Sequence, residues 1–203
     1  MKEFNIVIAG VGGQGTLLAA EVLGTAALKE GMNVRVSEIH GMAQRGGAVT
    51  SEVRLGDAVL SPTVPDGQAD ILLGFEPLET LRNLRYASEK TLVIVSDERI
   101  PPTELSAKNQ PYPSIDEIIK KIHCFTKNAQ VVDTRRLTEK AGSSLVQNTV
   151  LLGALAANGK LPLEKQSLVE ALRELIPTRH VETNVKAFEL GYDYAINLNA
   201  KRL

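Results

Sequence analysis

The 203-residue sequence has one cysteine, no tryptophan and an aromatic content of only 4%. A single thiol excludes an internal disulfide, and it supplies too few ligands for an iron–sulfur cluster, which takes about four thiolates. Any cluster that the protein uses must therefore come from a partner. Cys124 lies in an apolar stretch beside Ile122 and Phe125, and we expect it to be a buried hydrophobic residue.

The sequence also lacks an excess of either charge. Its 23 lysine and arginine residues nearly balance its 24 aspartate and glutamate residues. The overall electrostatic field therefore favours neither nucleic acid nor an anionic membrane as a partner. With 43% apolar residues, the chain can bury one sizeable core but is short for two, and we expect a single domain over residues 1–203.

Long apolar runs are absent as well. The longest, such as residues 149–157, are far shorter than the roughly 20 residues that cross a bilayer. No charged segment followed by an apolar segment and a cleavage site opens the sequence. We therefore expect a cytoplasmic protein without a membrane anchor or a secretory leader.

The first clear feature is a strand, a glycine-rich turn and a helix. Residues 4–9 form a short apolar run, residues 10–15 read Gly-Val-Gly-Gly-Gln-Gly, and apolar residues then recur at helical spacing. Such glycines permit a tight turn and let an anion approach N–H groups at the positive end of the helix, although helix–sheet packing alone would also require them. A P-loop is excluded because no Gly-Lys-Ser/Thr follows. The candidate ligand-contacting residues of this turn are Gly10, Gly12, Gly13, Gln14 and Gly15.

A second glycine-rich loop separates two predicted strands, at residues 33–39 and 48–55. Residues 40–47 read His-Gly-Met-Ala-Gln-Arg-Gly-Gly, and these glycines disfavour a helix because each costs about 1 kcal/mol relative to alanine. This loop is a candidate binding site because it contains a histidine that can transfer protons, a glutamine amide and an arginine with a fixed positive charge. A contact with another subunit explains the same residues equally well, since the glycines also permit close approach by another backbone. The candidate residues are His40, Gln44 and Arg45.

Glu38 leaves a dinucleotide-binding alternative open. It ends the second strand, where a dinucleotide fold places its ribose-binding acid, so the chain could be an independent NAD- or FAD-binding protein. The residues that follow oppose this, because a dinucleotide half-domain would continue with a helical crossover rather than a loop and an adjacent strand. Glu52 and Arg54, on the polar face of that strand, are interpreted as solvent or interface residues.

The middle of the chain predicts buried strands at residues 69–75 and 91–96. Their unbroken apolar character is typical of parallel strands that are covered on both faces. A helix near residues 77–86, a proline-rich connection, a helix near 114–125 and a short strand at 130–132 follow.

From Asp133 onward the pattern is helical. The helix at residues 146–157 is apolar almost all round, so it is either inserted into the core or covered by another chain, and the second option suits an obligate complex. We therefore predict an α/β fold: an open, mostly parallel sheet with flanking helices over residues 1–133, and a helical C-terminal extension over residues 134–203.

Catalytic and metal-binding patterns are incomplete. His123 and His180 are isolated, with no second ligand at a recognisable spacing. No Gly-x-Ser-x-Gly elbow occurs. The sequence therefore lacks a complete catalytic set.

Four segments of the sequence resemble the gamma-type domain of the pyruvate/ketoacid:ferredoxin oxidoreductases. They are the two glycine loops, the Val-Thr-Ser-Glu-Val-Arg strand at residues 49–54 and the segment ending in Gly-Phe-Glu-Pro at 74–77. The resemblance covers nearly the whole chain. The length of the chain and its helical extension look like the small subunits of the indolepyruvate-oxidising branch.

This resemblance implies a complex that decarboxylates an arylpyruvate, passes electrons through iron–sulfur clusters to ferredoxin and yields an aryl-acetyl-CoA. A large alpha subunit would hold the thiamine diphosphate, magnesium and clusters, so this chain would bind no cofactor by itself and would be inactive alone. Gln14, His40, Gln44 and Arg45 would face that partner or the cleft that contains CoA. A purely structural assembly subunit is the remaining alternative. We further expect the two glycine loops to meet at the carboxyl ends of adjacent parallel strands.

Overall fold

The computed structural model describes residues 3–41, 46–101 and 111–200. Its strands are β1 (Phe4–Val11), β2 (Val34–His40), β3 (Ala48–Leu55), β4 (Ile71–Gly74), β5 (Leu92–Ser96) and β6 (Ala129–Val132). Its helices are α1 (Thr16–Lys29), α2 (Pro77–Arg82), α3 (Ile115–Ile122), α4 (Thr134–Ala141), α5 (Gln147–Ala156), α6 (Lys165–Leu175) and α7 (Thr178–Ala200). Two short 3₁₀ turns, Leu84–Tyr86 and Ser144–Val146, complete the described elements.

The strands form one sheet in the order β2-β3-β1-β4-β5-β6. The pairs β1–β4, β4–β5 and β5–β6 are parallel, whereas β3 runs antiparallel to both of its neighbours. The prediction of an open, mostly parallel α/β sheet followed by helices is confirmed, and each predicted strand lies within two residues of its observed bounds. Strands β1, β4 and β5 are buried along their whole length, as their apolar sequences indicate.

Helices cover both faces of the sheet. Apolar residues of α1, α4, α5, α6 and α7 share the larger core with Ile6 and Ile8 of β1. On the other face, Ile118 and Ile122 of α3 pack with Val7 of β1 and neighbouring apolar residues. No described helix is both long enough and apolar enough to span a membrane.

Helix α5 is buried by its own chain. Residues 147–155 are all buried, and they pack in the core between the sheet and α7. Of the two alternatives for this helix, insertion into the core is therefore correct, and no second chain is needed to cover it.

Helices α5 and α7 touch through their backbones. A Cβ atom added to Gly153 would lie 2.0 Å from the carbonyl oxygen of Phe188, and one added to Gly191 would lie 2.0 Å from the carbonyl oxygen of Val150. Real side chains do not fit at such distances, because the backbone atoms that they meet cannot move without separating the helices. The contact therefore requires glycine on both helices.

The interpretation of Glu52 and Arg54 as solvent or interface residues was wrong. Glu52 is 0% exposed and Arg54 is 8% exposed. The Glu52 carboxylate accepts hydrogen bonds from Tyr86 Oη and from the backbone N of Val64, both at 2.8 Å. Since charged groups are buried only when they are paired, sequence alternation alone could not reveal this arrangement.

Arg54 binds the start of the chain and the loop that follows β3. Its guanidinium donates to Asn5 Oδ1 at 2.8 Å, to Glu3 Oε2 at 2.7 Å and to the carbonyl oxygens of Ser61 and Thr63 at 3.0 Å. These bonds satisfy the buried cation within the chain, so Arg54 stabilises the fold rather than an interface.

The expectation that Cys124 is buried was also wrong. Helix α3 ends at Ile122, and Cys124 lies beyond it with an exposed side chain. Phe125 beside it is exposed as well. The apolar pattern of this stretch ends one turn earlier than the sequence suggested.

The glycine contact between α5 and α7 predicts a large effect of one methyl group. We expect Gly153→Ala to lower the free energy of unfolding by about 3 kcal/mol, because the methyl group overpacks a rigid backbone contact. Gly24→Ala in α1 is the matched control, since its Cβ would meet only side-chain methyl groups at ordinary contact distance, Val36 Cγ2 at 3.5 Å and Val34 Cγ2 at 3.9 Å. The control should raise stability by about 0.5–1 kcal/mol through helix propensity. Equal effects in urea unfolding would contradict the contact.

Candidate functional site

The two glycine loops meet at the carboxyl edge of the sheet. Gly12 N donates to Gly47 O at 2.9 Å, and Gly46 N donates to Gly12 O at 3.3 Å. In the first loop, Gly13 and Gly15 have φ angles of 102° and 78°, in the left-handed region that favours glycine. The backbone of one loop is therefore fixed directly against the backbone of the other.

We expected the loops to follow adjacent parallel strands, and this expectation was wrong. They follow β1 and β2, and the antiparallel strand β3 lies between those two strands. The reason is that the second loop connects a hairpin, so the chain returns beside β2 and fills the place next to β1. The loops remain close because both of their strands end at the same edge.

Strand β3 also separates Glu38 from the first glycine loop. Adjacent strands lie about 4.8 Å apart, so Glu38 is one strand further from the loop than the acid of a dinucleotide fold. Its carboxylate accepts from Ser51 Oγ at 3.4 Å and pairs with His40 Nε2 at 2.9 Å. This geometry does not favour a ribose-binding role.

The Gln14 side chain points into the protein and stabilises its own loop. Its Oε1 accepts from Val11 N at 2.8 Å, and its Nε2 donates to Phe75 O at 2.9 Å and to Gln147 Oε1 at 3.2 Å. Both amide protons and one acceptor site are thus occupied by the chain itself. Gln14 positions the backbone of the glycine loop, and its carboxamide has little capacity left for a ligand.

Gln147 continues this network across the sheet edge. Its Nε2 donates to Phe75 O and to Ser96 Oγ, both at 2.8 Å, and Ser96 Oγ lies 2.6 Å from Thr134 Oγ1. Sequence reasoning missed Gln147 because the helix was interpreted as apolar. The available signal was the Gln-Asn-Thr triplet at its start, since polar residues in a buried first turn require partners.

The Gly-Phe-Glu-Pro segment adds a buried carboxylate at the same edge. Glu76 is fully buried, caps α2 by accepting from Glu79 N at 2.9 Å, and also accepts from Ile100 N at 3.3 Å and from Tyr112 Oη. Burial raises the pKa of the Tyr112 phenol, and the hydrogen bond to Glu76 raises it further. The phenol therefore remains a donor. Glu76 therefore joins the end of β4 and the start of α2 to Ile100 and Tyr112.

Glu79 is a second buried carboxyl group in the first turn of α2. Burial raises the pKa of Glu79, and the Arg82 guanidinium at 2.5 Å partly opposes that shift. Its backbone oxygen accepts from Asn83 Nδ2, and Asn83 in turn accepts from Thr50 Oγ1 of β3. The pair of Glu79 and Arg82 thus lies beside the hairpin strand, and neither residue was a sequence candidate.

His40 is the last residue of β2 rather than a loop residue, and its side chain is 63% exposed. Gln44 and Arg45, the other candidates of the second loop, lie outside the described residues. Across residues 3–41, 46–101 and 111–200, no group of His, Cys, Asp and Glu side chains could hold a metal ion. One exposed cysteine likewise does not fit an iron–sulfur cluster.

The shared carbonyl of Phe75 predicts energetic coupling between the two glutamines. We expect Gln14→Leu and Gln147→Leu each to lower the free energy of unfolding by about 1–3 kcal/mol. The double variant should deviate from additivity by at least about 0.5 kcal/mol, because the residues bond to each other and to one acceptor. Gln166→Leu, on the exposed face of α6, is the control and should be nearly neutral. A strictly additive cycle in urea unfolding would refute the coupling.

Comparison with known proteins agrees with these features. The model of the pyruvate ferredoxin/flavodoxin oxidoreductase family matches residues 5–194. The chain is 45% identical over 192 residues to the indolepyruvate oxidoreductase subunit IorB of Pyrococcus horikoshii, and the match covers 94% of this chain and 95% of that protein.

Solved structures share the fold. The gamma subunit of a keto/oxoacid ferredoxin oxidoreductase from Geobacter sulfurreducens superposes with a TM-score of 0.69 at 24% identity, covering 96% of this chain and 99% of that one. A 2-oxoglutarate:ferredoxin oxidoreductase from Magnetococcus marinus, solved with 2-oxoglutarate, coenzyme A and succinyl-CoA bound, gives a TM-score of 0.73 at 19% identity. It matches all of this chain with only 32% of its own length. The family match and the similarity to IorB over nearly the full length show that this chain belongs to the pyruvate ferredoxin/flavodoxin oxidoreductase family, as a small subunit of a 2-oxoacid:ferredoxin oxidoreductase.

Proposed function

We propose that this chain is the cluster-free subunit of a complex that oxidatively decarboxylates arylpyruvates, with indolepyruvate as the expected substrate and with CoA and ferredoxin as co-substrates. The large alpha subunit would be its partner and would hold thiamine diphosphate, magnesium and the iron–sulfur clusters. The observation that carries the proposal is the hydrogen-bonded pair of glycine loops at one sheet edge. Its substrate class follows the name of the 45% identical relative.

In this proposal the chain itself supplies no redox centre. Thiamine diphosphate would supply carbanion stabilisation, and the clusters would carry electrons, both in the partner. The described part of this chain offers one exposed thiol and no metal-binding cluster. Its contribution is therefore to bind and to orient.

The first glycine loop is suited to binding from outside. Gly13 is exposed, and a Cβ placed there would meet no atom within 4 Å, so the backbone is open to an approaching group. Helix α1 has no acidic residue in its first turn and no side-chain cap, and a helix start of this kind stabilises an anion. We infer that this loop faces the CoA-containing cleft or the backbone of the partner.

The second loop would provide side chains to the same surface. Gly46 and Gly47 hold it against Gly12, while His40 stands at its beginning with an exposed ring. Arg45 is the residue of this loop best suited to a carboxylate or phosphate, because its guanidinium can donate two parallel bonds.

The first test is anaerobic co-purification with the large subunit, followed by an assay of indolepyruvate-dependent and CoA-dependent reduction of ferredoxin or a viologen. We expect activity only when both subunits are present. Activity of the large subunit alone, or no association, would refute the proposal.

Arg45→Ala tests the binding role of the second loop. We expect it to reduce turnover, or to raise the KM for CoA, about tenfold or more, since losing one charge-assisted contact costs roughly 1.5–3 kcal/mol. The free energy of unfolding should change little. Arg135→Ala is the matched control, because Arg135 is a highly exposed arginine of α4 whose contact to Glu139 is at the surface. Full activity with unchanged CoA dependence would count against this role, and altered assembly with normal kinetics would favour a purely structural subunit.

A further inference from the structure

A groove of about 420 Å³ lies on the side of the sheet covered by α1, α5 and α7. It adjoins the glycine loop, since a Cβ on Gly15 would lie 2.7 Å from Asn148 Nδ2. None of the residues that line it belongs to either glycine loop. Its apolar wall is formed by Leu18, Val146, Leu175, Ile176 and Pro177.

Asn148 brings a donor without a partner to this groove. It is 4% exposed, and its Oδ1 accepts from Thr149 N at 2.9 Å. Within the described residues, its Nδ2 donates no hydrogen bond. Every fully buried side-chain nitrogen or oxygen there has a partner, so Nδ2 is not fully buried. Asn148 lines the groove next to Gly15, and we take the exposed part of Nδ2 to face it. A nearly buried amide in this state favours a ligand that can accept its hydrogen bond.

Three helices begin at the groove. Leu18, Asn148 and His180 lie in the first turns of α1, α5 and α7, which have 14, 10 and 23 residues. None of these first turns contains an acidic residue. Each helix start carries roughly half a positive charge, so three such starts together favour a negative group.

The side chains around the groove do not oppose that charge. No aspartate or glutamate lines it, and Arg179 approaches its rim, with Nε donating to His180 Nε2 at 3.0 Å. Helices α4 and α6 also end at the groove, where Gly142, Leu175 and Ile176 line it, so two negative helix ends offset part of the charge of the three positive starts. The net preference is therefore for an anion.

We infer that this groove is a second binding site, for a small organic acid with an apolar body and one carboxylate. The carboxylate would accept from Asn148 Nδ2 near the start of α1, and the body would cover the apolar wall. A bare phosphate fits less well, because it would leave that wall in water and would bring a larger desolvation cost. The site shares the start of α1 with the first glycine loop, but no loop residue lines it, so its binding can be tested separately from the function proposed for the loops.

Indole-3-acetate is a suitable probe, because the chain contains no tryptophan and the fluorescence of the probe can be followed directly. We expect saturable binding to the full-length chain and displacement by phenylacetate. Indole, which lacks the carboxylate, and acetate, which lacks the apolar body, should each bind at least tenfold more weakly. No saturable change at millimolar probe, equal affinity for indole, or displacement by inorganic phosphate as effective as by phenylacetate would overturn the inference.

Asn148→Asp separates this site from the fold. The substitution keeps Oδ1 as the acceptor for Thr149 N but replaces the donor with a charged oxygen, so binding should weaken at least tenfold. Asn197→Asp, on the exposed face of α7, adds the same charge elsewhere and should leave affinity unchanged. Unchanged affinity in Asn148→Asp would overturn the assignment.

Leu145→Ser provides a variant that should not disturb folding. Leu145 lines the groove and is 86% exposed, and Leu60, which is 88% exposed and does not line it, is its matched control. We expect Leu145→Ser to weaken binding severalfold and Leu60→Ser to have no effect. Equal affinities of these two variants would contradict the apolar contact.

Discussion

The carbonyl oxygen of Phe75, at the end of β4, accepts hydrogen bonds from Gln14 and from Gln147. Through it the first glycine loop, the middle of the sheet and the start of α5 are fixed relative to one another. The second glycine loop is then held to the first by backbone bonds at Gly12. Without these two bonds the first loop would lose its side-chain link to the middle of the sheet, and its glycines impose no preferred conformation that could replace it.

The contact of α5 with α7 has a similar role on the helical side. Gly153 and Gly191 allow the two backbones to touch. The starts of these two helices lie with the start of α1 at one groove that has an apolar wall.

Two charged residues of the hairpin strand β3 help to hold the loop that follows it. Strand β3 is the one described strand that runs against the others, and on one face it presents Glu52 and Arg54 to the protein interior. Both are satisfied by loop backbone and by neighbouring side chains. The loop between β3 and β4 is therefore held in place by ionic and hydrogen-bonding groups as well as by the apolar packing of Val64.

The sequence by itself determined the elements and the family resemblance. Apolar runs at residues 69–75 and 91–96 set the buried parallel strands, and the glycines at residues 10–15 and 40–47 set the two loops, because these patterns act through local conformation and burial. It also identified Gln14 as a residue of interest but not its role. Only the tertiary structure decided that role, together with the burial of Glu52 and Arg54 and the partners of Gln147 and Asn148. The physical reason is that these depend on atoms far apart in the chain, such as Phe75 O beside Gln14 and Gln147, and a one-dimensional pattern contains no information on which distant backbone group a polar side chain will meet.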